Sequence, residues 1–545
     1  MLRVTGFGVR NLRSLRDTGV VDLRPITILV GKNSAGKSSF ARVLPLLKQS
    51  AERRKQGPVL WFGRLVDFGS FQEAISSFAE SGEIDILLRY SAPPATFVGR
   101  RPNRPDDPRI STTASLDARL TLASEGDDGR TVFRKLALNV FGVDVLITSA
   151  NSREVQLKID GRLVLPPNEG RILVSQGAIL PVLRILYRDQ VISSTVSDAT
   201  YFRTQRAERL GTDAVRSAIS NFVHGNTLPE RKDEIARKLP LATTGVLLQH
   251  CRDLTAVPDT WRTNMVSLLP SSPRIIELQK ALVLYNLEAL LLELDDALLS
   301  FSAGINYLEP LRATAQRYVR REEVSTDELD PKGLNTTFFI QGLSVREREQ
   351  LNDWLRSTFG FTLTVKIAGG HASLNIETTG SSYSRNMADV GLGYSQLAPV
   401  AIQLWSATRR GPVRSPSALR GGTYTSSQLR ERSPVVVVEQ PELHLHPAYQ
   451  AKLADVFAAC VKQSNPATNA SAGLELPLRI VAETHSPNLI NRLGELVGEG
   501  VLRSEDVQVL VFEADAANSS AAVIRKAIFD DAGVLQNWPI GFFEY

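Results

Sequence analysis

The 545-residue chain lacks any uninterrupted run of about 18 apolar residues, so no membrane-crossing helix is expected. The richest candidate, ALVLYNLEALLLELDDALLSF, is broken by Glu288, Glu293, Asp295 and Asp296. The opening MLRVTGFGVRNLRSLR carries several arginines and no apolar core, which does not read as a secretory signal. A cytoplasmic protein is the expectation. Cysteine is scarce: Cys251 and Cys460 stand far apart and make neither a disulfide framework nor a zinc site. Cys460 falls in step with Leu453, Val456 and Phe457, which reads as a small hydrophobe on a buried helical face. Excess charge is also small. A net +5 permits nucleic-acid contact without arguing for it. No internal repeat is found.

What is present is patterned in blocks. PITILVG, residues 25–31, is a short apolar run ending at Gly31, and Phe40, Val43, Leu44 and Leu47 then follow helical spacing, with a kink expected at Pro45. Residues 82–165 alternate, as in EIDILLRYS and EVQLKIDGRLVL, and predict an antiparallel sheet. RRPNRPDDPR, 100–109, reads as a solvated loop. From about 175 to 300 the pattern turns helical, its longest element near 274–300 with Ile275, Leu278 and Leu282 on the apolar face. Mixed structure follows to about 385. Loop-like stretches flank the late apolar run PVVVVE.

GKNSAGKSS fits G-x-x-x-x-G-K-[ST], with Gly31, Gly36, Lys37 and Ser38 at the defined places. The glycines let backbone N–H groups around Asn33, Ser34 and Ala35 curl toward phosphate oxygens. Lys37 offsets charge on the outer phosphates, Ser38 offers a hydroxyl to Mg²⁺, and the helix start at Ser39 adds partial positive charge. A chance Gly/Ser loop is the plain alternative, but the strand before and the helix after argue for ATP.

A buried parallel strand carrying an acid at its end should face the metal. PVVVVEQPELHLHP supplies it: four β-branched residues suit a strand covered on both faces, and Glu439 becomes the Mg²⁺-side carboxylate. Gln440 then sits where a general base is expected. An amide orients water but accepts a proton poorly, so slow turnover is predicted, or help from Glu442 or Glu483. RIVAETHS ends a further strand at Glu483, Thr484 and His485, with Ser486 and Pro487 as N-cap and first helical residue. A lone histidine is usually structural. His444, His446 and His485 all fall at these strand ends, which favours a role for His485 at the γ-phosphate. In DVGLGYSQLAPVAIQLW, Gly391 and Gly393 free the backbone and Ser395 reads as the cap of a helix with Leu397, Val400, Ala401 and Leu404 inward. From that loop alone, a helix start in a packed domain is the simpler reading.

Taken in order, GKNSAGKSS, LEPLRA (308–313), VGLGYSQLAP, VEQPELHLHP, ETHSPNLINRL and the terminal NWPIGFF (537–543) resemble ABC-type ATPases of the SMC and OLD groups, and bacterial AAA-type proteins with OLD-like heads more closely. The resemblance implies an α/β P-loop NTPase fold, an ABC-ATPase head of mixed sheet plus antiparallel β subdomain, with a largely helical insertion between two lobes. Its expected segments are 1–170 (first lobe), 171–300 (helical insertion), 301–385 (mixed return) and 386–545 (second lobe). It also implies a homodimer closing on two ATP molecules. Gly393, Ser395 and Gln396 would then reach the ATP held by the other copy's loop, His485 would be the switch histidine, and Gln72 in VDFGSFQEAI the glutamine-loop residue beside the metal. About sixty residues follow ETHS, too few for the Toprim module of OLD nucleases, so an effector such as a nuclease is expected as a separate partner. Arg203, Arg206 and Arg209, and Arg317, Arg320 and Arg321, form basic clusters. Neighbouring Glu208, Glu322 and Glu323 make solvated faces the simpler reading than phosphate contacts. An ATP-sensing scaffold without turnover, and a DNA-processing enzyme with its site in 150–300, stand as rival readings.

Overall fold

The computed structural model describes residues 2–538 apart from 54, 93–95, 98–108, 111–113, 127–128, 151–153, 165–169, 175–177, 189–201, 204–209, 321–327, 381–382, 410–412, 415–428, 431–433, 465–476 and 516–520. The loop at 100–109, most of the first arginine cluster and the tail beyond Trp538 therefore lie largely outside the described residues.

The first strand, β1 (Arg3–Leu12), leads to β2 (Ile26–Gly31), the predicted apolar run. Helix α1 (Lys37–Ala41) follows the loop, and α2 (Val43–Glu52) continues it after a break at Arg42. The break matches the expected kink, since Pro45 has no N–H to offer the carbonyl one turn back. The alternating segment forms β3 (Glu83–Ala92), β4 (Ala114–Glu125), β5 (Arg130–Val140), β6 (Val143–Ser149) and β7 (Glu154–Ile159), each antiparallel to the one before, with β3 on β1. Strand structure runs further than the pattern predicted: Gly170–Val174 pairs with Leu183–Arg188, and among the described residues the first helix of the next block begins at Thr212. Short apolar runs are ambiguous between helix and strand, and here sheet pairing decided.

The helical block culminates in α3 (Pro273–Ala303), with Ile275, Leu278 and Leu282 buried as the spacing required. These leucines belong to the same hydrophobic cluster as Phe7 of β1 and Phe40 and Leu44 of α1 and α2. The insertion is thus packed into the core of the N-terminal segment. Beyond it come β8 (Ile305–Leu308), α4 (Leu392–Ala407), β9 (Val435–Glu439), α5 (Pro447–Gln463), β10 (Arg479–Glu483), α6 (Pro487–Gly498), β11 (Val507–Ala514) and β12 (Ala522–Phe529).

The central sheet runs β8–β9–β10–β2–β11, all parallel, with β12 antiparallel at the far side of β11. Two hydrophobic clusters sandwich it. Val435 and Val437 face one, Val436 and Val438 the other, and all four are essentially unexposed. This is why β9 is continuously apolar, and each valine contributes about 1.5–3 kcal/mol by burial. Cys460 is buried on the face of α5 shared with Leu453, Val456 and Phe457, and burial pushes its thiol up to about 12. No helix among the described residues is long and apolar enough to cross a membrane. The fold is mixed α/β, built as a P-loop NTPase.

Candidate nucleotide site

Register brings the site together. Glu439 lies directly beside Glu483 on adjacent parallel strands, and Glu483 beside Leu29 of β2, so the loop after β2 meets the ends of β9 and β10. Chain separations of more than 400 residues close at one sheet edge, the place where open α/β sheets bind ligands. A cavity of ≈ 410 Å³ opens there, lined by Arg13, Ser14, Asn33, Ser34, Gly36, Lys37, Ser38, Ser39, Gln440, Glu483 and His485.

The loop is built for close approach. Gly36 has φ 91°, and a side chain there would come within 2.7 Å of Leu15 Cδ2 and 2.8 Å of Ser14 Oγ. Gly31, at φ 151°, abuts Phe512 of β11, where a Cβ would lie 2.4 Å from the carbonyl oxygen. Lys37 is 4% exposed; its Nζ donates to the carbonyls of Gly31 at 3.0 Å and Lys32 at 2.8 Å, and stands 3.9 Å from Glu483 Oε1. Burial pulls the ammonium below its ordinary value, with Glu483 acting against that.

Two carboxylates flank the loop and differ in their partners. Glu439, expected on the metal side, is held here by Arg42 and Tyr307: Arg42 Nε and Nη2 donate to its two oxygens at 2.7 and 2.8 Å, and Tyr307 Oη donates to Oε1 at 2.7 Å. Burial opposes the Arg42 charge, yet the hydrogen bond and charge of Glu439 outweigh it and hold the guanidinium above its ordinary range. The carboxylate beside Ser38 and Lys37 is Glu483, whose Oε2 is buried without a hydrogen-bond partner. Burial, then Glu439, push the Glu483 carboxyl up, while Ser38, Lys37 and Arg42 pull it back. Arg42 sits one helical turn past Ser38 and so reaches the β9 carboxylate, while the β10 carboxylate stands near Lys37.

Gln440 turns the chain at φ 45° and lines the cavity, its N–H donating to Glu483 O at 2.7 Å. His485 is half-buried at the cavity, and burial followed by Lys37 lowers its titration. Its backbone N–H donates to Glu442 Oε1 at 2.7 Å. The other two histidines go elsewhere: His446 caps α5 through Ala448 N, and His444 is exposed. Ser486 and Pro487 open α6 as N-cap and first residue.

Of the residues expected to reach a second nucleotide, Ser395 departs from its reading as a helix cap. Helix α4 starts at Leu392, three residues before Ser395, so Ser395 is not its cap; its hydroxyl donates back to Leu392 O at 2.8 Å and the residue is buried. Gln396 is 3% exposed and spends its amide on Arg312, accepting from Arg312 N at 3.3 Å and donating to Arg312 O at 3.0 Å. Gly393 packs toward His444 O. Gln72 is exposed on the short helix Phe71–Ala74, whose Ala74 carbonyl accepts from Arg13 N, and is not a lining residue. Gly31 and Ala35 shape the loop from behind. Arg317 pairs with Asp389, and Arg320 lies in a short strand.

Arg13 and Ser14 also line the cavity, and the sequence marks neither as a site residue. The one available signal was their position in a turn after an amphipathic strand, and that is weak. Arg13 holds φ 49° and its guanidinium stacks over Phe68 at 4.6 Å.

The fit to a nucleotide is favourable on three counts: a loop whose Gly36 backbone packs too close to Ser14 and Leu15 to admit a Cβ, a buried lysine beside it, and an unpartnered carboxylate oxygen on Glu483 beside the Ser38 hydroxyl. Fold and site together define a P-loop ATPase domain. The chain belongs to the AAA ATPase domain family, whose model matches residues 3–135 and 317–490, more than half of its length. No curated protein matches it. Among solved structures it is similar to the Smc head domain with an extended coiled coil bound to the C-terminal domain of ScpA from Pyrococcus furiosus (8% identity, 96% of each chain, TM-score 0.33). It is also similar to the SmcHead bound to the C-winged helix domain of ScpA (9% identity, 97% of this chain and 99% of that one, TM-score 0.34). A third is the SMC head domain from Thermotoga maritima (8% identity, 96% and 98%, TM-score 0.32).

Proposed function

We propose that this protein binds ATP with Mg²⁺ and hydrolyses it slowly, as an ABC-type ATPase. The observation that carries this reading is the convergence of Lys37, Ser38, Gln440, Glu483 and His485, from opposite ends of the chain, on one cavity. Loop N–H groups and Lys37 bind the phosphates. Gln440 orients water with its amide, and Glu483, already pushed toward its neutral form, can hold a proton at its unpartnered oxygen. His485 stays neutral at pH 7 and can donate or accept one hydrogen bond at the cavity. Bound Mg²⁺ would neutralise phosphate charge; Ser38 and the Glu439 carboxylate would hold it, leaving Glu483 as the proton acceptor.

The same reading includes a homodimer of heads, in the manner of OLD-like proteins with the WPxGFF tail. It includes control of a partner effector such as a nuclease, with nucleic acid as a further partner, in phage defence or DNA maintenance. A pull-down returning neither protein nor nucleic acid would count against that part. A second reading, an ATP-sensing scaffold without turnover, is favoured by one feature: Glu439 is fully engaged by Arg42 and Tyr307. Phosphate release and nucleotide binding, each measured beside Lys37→Ala, separate the cases. Lys37-dependent release supports the ATPase. Lys37-dependent binding without release supports the scaffold, and binding indifferent to Lys37 sinks both.

A further inference from the structure

Arg312, in the LEPLRA segment, is 4% exposed and is not among the residues that line the nucleotide cavity. Its Nη2 donates to the carbonyls of Glu439 at 2.9 Å and Gln440 at 3.4 Å, the two residues at which β9 ends and the chain swings into the left-handed region. Its Nε and Nη1 are buried without hydrogen-bond partners, and so is Glu442 Oε2. Burial pulls the guanidinium down to about 10, and the charges of Glu442 and then Glu439 act against that. A buried cation with unsatisfied N–H groups is a poor way to stabilise a core, since apolar residues of similar volume serve stability as well or better. Its backbone is gripped in turn by Gln396 of α4, through both N–H and C=O. Glu442, which attracts Arg312 by charge and not through a hydrogen bond, holds the backbone N–H of His485.

We propose that Arg312 is a positioning residue: it fixes the Glu439–Gln440 corner over the nucleotide cavity and, through Gln396, ties the start of helix α4 to that corner. The proposal rests on the ATP-binding reading above and deepens it. Arg312 touches no reacting atom. It sets where the Gln440 amide and the His485 backbone stand, and it makes α4 and the catalytic corner move as one piece. Fixing a water-orienting group is worth a large factor in rate and little in ground-state binding.

The test uses the full chain with Arg312→Met, Arg312→Lys and Gln396→Leu, and Lys37→Ala as reference. Affinity for a fluorescent ATP analogue should stay within about twofold of the unsubstituted protein in Arg312→Met, with KM unchanged, while kcat falls about tenfold or more. Lysine should restore part of the loss by reaching one carbonyl. Amide hydrogen exchange at 439–443 and 392–397 should rise in both Arg312→Met and Gln396→Leu. Should Arg312→Met fail to fold, Gln396→Leu, which keeps the guanidinium, carries the test through the same readouts. Wild-type kcat with wild-type exchange at the corner overturns the proposal, as does a loss of affinity and kcat in equal measure. If the unsubstituted protein shows no Lys37-dependent release, hydrolysis itself is refuted; the positioning role then stands or falls on exchange at 439–443 in the nucleotide-bound state.

Discussion

Replacing Arg42 by methionine should destabilise the nucleotide-free protein by about 2–4 kcal/mol, and the size follows from what stays behind. Glu439 has a side chain only 2% exposed. Without Arg42 its carboxylate keeps a single hydrogen bond, from Tyr307. Removing one member of a buried ion pair costs about 3–5 kcal/mol because the other charge is stranded. Arg42 is 30% exposed, so water already screens part of the pair, and the figure is taken down by about 1 kcal/mol. Glu439→Gln should cost less, about 1–2 kcal/mol, since the freed guanidinium can turn to solvent. The double substitution strands nothing, so the cycle should show coupling of about 1–3 kcal/mol. Urea unfolding followed by tryptophan fluorescence measures all four proteins, with equal slopes as the check that only stability has changed. Coupling below about 0.5 kcal/mol would refute the reasoning, because the two groups would then be independent despite their 2.7 and 2.8 Å contacts.

Gln440→Glu should keep or raise phosphate release, since a carboxylate at that corner adds a proton acceptor; a loss of tenfold or more would show that the amide itself is needed. Glu483→Gln should stabilise the nucleotide-free, Mg²⁺-free protein and lower turnover. Because the folded carboxyl is raised by burial and by Glu439, the wild-type carboxyl favours folding fully only below its ordinary value of 4.5 and loses that contribution as pH rises through the folded value. The variant's advantage in Tm should thus be absent at acid pH and grow toward neutrality; an advantage confined to low pH would reverse the assigned direction. Gly36→Ala should cost more than about 1 kcal/mol and abolish ATP-analogue binding, since φ 91° and the wall formed by Ser14 and Leu15 both oppose a Cβ; calorimetric titration checks it.

The strand–loop–helix around GKNSAGKSS was legible because every feature is local: an apolar run, fixed glycines, a helical period. The β9 valines were legible for the same reason, four β-branched residues needing cover on both faces. The Ser486 cap and the α3 face follow equally short-range rules. What could not be read was which groups hold each of the two strand-end carboxylates. Glu439 and Glu483 both end apolar strands, and only the strand order shows that Arg42, 397 residues from Glu439 in sequence, pairs with the first while the second stands beside Lys37. The start of α4 was missed by one turn because Ser395 is a good cap by type, yet the backbone already turns helical at Leu392. Gln396 and Arg312 form a pair 84 residues apart that no periodicity announces. The sheet residues at 183–188 read as helix because a short apolar run carries no reliable period.

Strand β2 owes both of its sheet neighbours to chain made much later: β10 and β11 lie more than 450 positions downstream. On a ribosome adding about 5–20 residues per second, the phosphate loop therefore waits roughly half a minute to a minute and a half with its supporting strand unpaired on either edge. Translation halted inside the long middle of the message would release a product carrying the loop's letters and none of its grip. Prematurely stopped forms should collect with holding chaperones or in aggregates rather than compete with the finished molecule for nucleotide.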